Sequence, residues 1–82
     1  MMILTVILFA AARELAGADS IAIELPPDAT VAILRAELAR RVPALSGLLA
    51  KSALAVNHDF AEGERALSSS DEVAIIPPVS GG

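Results

Sequence analysis

The chain has 82 residues, 55% of them apolar, enough for one small domain and not for two. It contains no Cys and a single His, which excludes a disulfide framework, a thiolate metal site, a cysteine nucleophile and any two-histidine metal motif. Its net charge is −4 and its six basic residues are scattered, so the basic footprint of a nucleic-acid binder is missing, whereas a partner with a basic surface is well matched. Of the apolar residues 17 are Ala, so the core must be built from a limited set of Leu, Ile and Val.

Residues 3–9 read as the first strand. Leu4, Val6 and Leu8 lie on one face and Ile3, Ile7 and Phe9 on the other, with Thr5 the only interruption. A strand apolar on both sides is expected to be central and covered on both sides. The uncharged run that contains it, residues 1–12, is too short for a membrane span and lacks the basic start of a signal peptide. No membrane association is expected, and a cytoplasmic location is. Residues 10–16 are Ala-rich and predict a helical turn closed by Gly17. In residues 21–25, Ile21, Ile23 and Leu25 alternate with Ala22 and Glu24, which predicts a strand antiparallel to the first, stopped by Pro26 and Pro27.

Thr30 is a good N-cap for a helix over residues 31–42. Its apolar stripe is Val31, Leu34, Leu38 and Val42; Glu37 and Arg41 pair on the wet side, and Pro43 ends it. A single stripe predicts packing on something flat. Residues 44–52 suggest a short second helix around Gly47. Residues 54–57 and 60–61 predict two short strands joined through Asn57, His58 and Asp59. His58, in a polar turn, is read as a solvated side chain. Residues 68–71 form a polar turn, and residues 73–76 a last strand cut by Pro77 and Pro78. The expected class is α+β: a small mixed sheet with one main helix on one face and the last strand parallel to the first. One helix covers one side, so Phe9, Phe60 and Ile76 are expected on a second, uncovered apolar face that suits a partner.

The sequence closes on Pro77-Pro78-Val79-Ser80-Gly81-Gly82. Two prolines favour a stiff, extended start, and two glycines remove every side chain from the last positions. Extended, these residues reach roughly 20 Å at ~3.3–3.6 Å each, which suits entry into a narrow active site of another protein.

Residues 72–82, Glu-Val-Ala-Ile-Ile-Pro-Pro-Val-Ser-Gly-Gly, resemble the C-terminal signature of the small, sulfur-carrier subunit of molybdopterin synthase, in the MoaD/ThiS family. The segment Leu-Phe-Ala-Ala-Ala-Arg-Glu-Leu at 8–15 and Leu-Ala-Val-Asn at 54–57 resemble its first strand and turn and its hairpin. One departure is Ser70, where the family usually has a turn glycine before the last strand.

The resemblance implies a β-grasp, ubiquitin-like domain over residues 1–76 and an extended tail over 77–82. It implies that the chain is not an enzyme on its own but the sulfur donor of a heteromeric synthase. A ubiquitin-activating-like adenylyltransferase uses ATP to adenylate the carboxylate of Gly82, and a sulfurtransferase converts it to a thiocarboxylate. The tail then enters the large subunit, within a heterotetramer, and gives its sulfur to cyclic pyranopterin monophosphate. The chain itself binds no cofactor and no metal in this scheme. Gly82 carries the sulfur and Gly81 is its unobstructed neighbour; Phe9, Arg13, Phe60, Ile76, Pro77, Pro78 and Val79 face the large subunit. A carrier for another pathway, of thiamine-thiazole type, and a ubiquitin-like modifier are the alternatives. A carboxylate is a poor electrophile at neutral pH, so adenylation supplies the leaving group that sulfur attack requires.

Overall fold

The structure is a computed structural model and describes residues 1–78. In chain order it contains β1 (Met2–Leu8), α1 (Ala10–Ala16), β2 (Ser20–Leu25), α2 (Val31–Arg41), a 3-10 turn (Pro43–Leu45), α3 (Ser46–Leu49), β3 (Ala53–Val56), β4 (Asp59–Phe60) and β5 (Val73–Ile76). The five strands form one sheet in the order β2-β1-β5-β3-β4. The central pair, β1 and β5, is parallel, and the other pairings are antiparallel. This is the β-grasp arrangement: a hairpin, a helix that crosses the sheet, and a last strand inserted beside the first.

The local signals explain the element ends. Gly17, at φ 71, closes α1 with its N–H donating to the Arg13 carbonyl, a left-handed position that glycine adopts freely. Thr30 Oγ1 accepts from the Ile33 N–H at the start of α2. The N–H groups of Val31 and Ala32 donate to the carbonyls of Arg65 and Gly63, so the loop between β4 and β5 satisfies two donors that a helix N-terminus leaves open. Val42, before Pro43, sits at φ −128 and ψ 80, and α2 ends one residue earlier than expected because proline disfavours a helical residue before it. The expected second helix over 44–52 resolves into the 3-10 turn and the four-residue α3. Arg35 ties that segment to α2, donating to the carbonyls of Leu49 and Ser52.

Val31, Leu34 and Leu38 of α2 are fully buried in a core with Leu4, Val6 and Leu8 of β1, Leu54 and Val56 of β3, and Val73 and Ile75 of β5. Of the two expectations for β1, cover on both sides and an open second face, the structure shows the second. Ile3 is 60% exposed, and Thr5 beside it on that face is exposed too. All the helical mass lies opposite. The first strand also ends at Leu8, so that Phe9 is the residue that caps α1 rather than a strand residue.

Candidate docking groove

The uncovered face is shaped by strand register. Ile7 pairs with Ala74, Ala74 with Ala55, and Ala55 with Phe60. The row across the sheet is therefore large, small, small, large. Two alanines form a floor, and Ile7 and Phe60 stand at its sides. The result is a groove of about 290 Å³ lined by Ile7, Phe9, Ala55, His58, Phe60, Glu72, Ala74 and Ile76. Phe60 is 75% and Phe9 47% exposed, far more than large apolar side chains usually are in a protein with no partner.

Three sequence-expected residues, Phe9, Phe60 and Ile76, are brought together here. Pro77, half-buried, and exposed Pro78 follow Ile76 directly beyond the end of β5. Arg13 does not line the groove. It lies on α1 with its guanidinium 3.9 Å from the Asp19 carboxylate, both side chains largely exposed. Val79, Gly81 and Gly82 lie outside the described residues.

Two groove residues were missed from sequence, His58 and Glu72. Their side chains face each other, Nε2 to Oε1, at 3.7 Å. Asn57 and His58 form the two-residue turn between β3 and β4, with φ of 52 and 73. Positive φ at both central residues is what a tight hairpin requires if its twist is to match that of its strands. The signal was in the spacing: two residues between two strands put His58 back against the sheet instead of out in a free loop.

Asn57 holds this end of the groove in place. Its amide nitrogen donates to Asp71 Oδ1, its amide oxygen accepts from the Glu72 N–H, and its own N–H donates to the Glu72 carbonyl. Asp71 Oδ2 in turn accepts from the Ser68 N–H at 2.8 Å. That backbone bond, with the Asn57 amide next, holds the Asp71 carboxyl below its usual range, because both partners favour the charged form. The polar turn before β5 closes by an Asp71 N–H to Ser68 carbonyl bond. Neither Ser69 nor Ser70 is at positive φ, so Ser70 in place of a glycine costs no backbone strain. The departure leaves the start of β5 intact.

The groove offers apolar contact and one polar end. Among the described residues no helix is long and apolar enough to cross a membrane, and no group of three or more His, Asp or Glu could hold a metal. The arrangement suits binding a protein surface.

The sheet order and the single crossing helix place the molecule in the ubiquitin-like β-grasp class, and solved structures agree. SAMP1 from Haloferax volcanii superposes with a TM-score of 0.87 at 31% identity, covering 98% of this chain and 99% of that one. Within that class the chain belongs to the ThiS family, which it matches over residues 6–82. It is 42% identical over 80 residues to the molybdopterin synthase sulfur carrier subunit of Dictyostelium discoideum, spanning 94% of this chain and 93% of that one. It is 40% identical over 82 residues to the subunit of the same name from Haemophilus influenzae, spanning 96% and 99%.

Proposed function

We propose that the protein is the sulfur carrier of a molybdopterin synthase, and acts without catalytic groups of its own. The carboxylate of Gly82 is adenylated by an ATP-using activating enzyme, is converted to a thiocarboxylate by a sulfurtransferase, and donates its sulfur to cyclic pyranopterin monophosphate inside the large subunit. Residues 1–76 form the folded carrier and residues 77–82 the extended arm. Gly81 leaves the acyl carbon of Gly82 accessible to a nucleophile, since neither residue has a side chain to obstruct it. Phe9, Phe60, Ile76, Pro77, Pro78 and Val79 dock the large subunit, and Arg13 meets it at the margin. The domain works in the cytoplasm.

The observation that carries the reading is the open apolar groove on the strand that leads into Pro77 and Pro78, in a chain whose relatives carry the name of sulfur carrier subunit. A partner lying on the groove is placed to receive the arm. The test is intact mass after co-expression with a matching activating enzyme and sulfurtransferase. The expected result is exchange of one oxygen for sulfur at Gly82; an unchanged mass, where a control carrier is converted, would overturn the reading.

A second reading, a ubiquitin-like modifier, is favoured by the likeness to SAMP1 of Haloferax volcanii, whose name stands for small archaeal modifier protein 1. It predicts lysine conjugates of higher mass in cell extracts, lost when Gly82 is removed.

A further inference from the structure

The two ends of the groove differ in chemistry. At one end Phe9 and Ile76 are apolar, and the chain continues into Pro77 and Pro78. At the other end stand His58 and Glu72. Glu72 and Ile76 are four residues apart along one extended segment, so the ends are separated by about 13 Å at ~3.3 Å per residue.

Of the three non-glycine residues at positive φ among the described residues, His58 lines the groove, and Ala10 and Asn57 are chain neighbours of the lining residues Phe9 and His58. Asn57 is compensated: asparagine tolerates the left-handed region, and its side chain makes the hydrogen bonds that hold Asp71 and Glu72. His58 is not. Its φ of 73 is disfavoured by its Cβ, its side chain is 85% exposed, and the 3.7 Å to Glu72 exceeds a hydrogen bond. An exposed pair of this kind adds little to folding. Glycine would serve the turn better. Uncompensated strain in the lining of a binding surface points to a role in binding.

We propose that His58, together with Glu72, is the specificity-determining end of the groove. A hydrogen-bonding side chain of the docked partner bridges the imidazole and the carboxylate. This contact sets the partner's register along β5, and so the point at which the arm leaves toward it. The occupant is the protein that receives the arm, because groove and arm are continuous through Ile76 and Pro77. The inference rests on the proposed docking of a synthase large subunit.

The experiment measures thermal stability of the full chain, and titrates it calorimetrically with the large subunit from the same organism. His58→Gly is expected to raise Tm by about 4 °C and to weaken binding about tenfold. His58→Asn, which tolerates the same backbone, is expected to keep the fold and also to weaken binding. Glu72→Gln is expected to weaken binding alone but to add little on top of His58→Gly, because both remove one bridge. Phe60→Asp serves as the control for the groove. If His58→Gly binds as tightly as the wild type while Phe60→Asp does not, the register role is wrong and the docking reading stands. If His58→Gly lowers Tm, the histidine serves the fold and the proposal fails. If Phe60→Asp also binds unchanged, or the wild type does not bind, the docking reading itself is overturned.

Discussion

Ile3 and Leu4 are neighbours on the same strand with similar hydropathy, yet Leu4 is buried and Ile3 is 60% exposed. The contrast extends across the sheet. One face carries Val6, Leu8, Leu54, Val56, Val73 and Ile75 beneath α2, and the other carries Ile7, Phe9, Phe60 and Ile76 in a groove open to solvent. Apolar character therefore sets a demand for cover without saying what supplies it. On one face the chain covers itself; on the other it leaves apolar area available for association.

If that division is right, the largest effect on folding comes from the covered face. Leu34→Ala is expected to cost about 2–5 kcal/mol, a large part of the total stability of a domain this size, read by urea denaturation. A cost near zero would mean that the core is seated elsewhere. The open face should behave in the opposite sense. Phe60→Asp is expected to leave stability within about 0.5 kcal/mol of the wild type and to weaken large-subunit binding at least ~10-fold. A Phe60→Asp protein that unfolds would erase the distinction between the faces.

Smaller changes sharpen the boundary. Thr30→Ala removes the α2 cap and is expected to cost about 1 kcal/mol by the same denaturation assay, with no effect on partner affinity. The smallest effect belongs to Asp71, at the polar end of the groove. Its carboxyl titrates lower in the folded state than in the unfolded chain, so its contribution is fully present above the ordinary value of 3.8. As pH falls below that value the unfolded chain takes up a proton first, and the contribution is gone once the folded carboxyl is protonated. Asp71→Asn should flatten the acid side of the stability profile there and leave neutral-pH docking intact. An unchanged acid limb would show that the clamp around Asn57 does not depend on the charge.

Much of the fold was legible in the residues. The stripe of α2, its Thr30 cap, the Gly17 stop, the alternation of β2 and the parallel pairing of the last strand with the first are all present as expected. So is the placement of Phe9, Phe60 and Ile76 on one surface, although Phe9 stands just past the end of β1. Arg13, which only the family resemblance associates with that surface, lies on α1 outside the groove lining. The groove floor was invisible for a different reason. Ala55 and Ala74 carry no hydropathy signal of their own; they make a groove only because register sets them between Ile7 and Phe60.

Caps, stops, turn chemistry and the two-residue alternation of strands act between residues a few positions apart, and the amino-acid sequence determines them without reference to the rest of the chain. It also places Pro77 and Pro78 directly after a strand. The tertiary structure alone decides which apolar face α2 covers and which residues at positions 7, 55, 60 and 74 stand in one row. Those outcomes depend on contacts between segments distant in sequence, where a one-residue change of register would turn every side chain to the other face. The same dependence brought His58 from a polar turn to the edge of the groove.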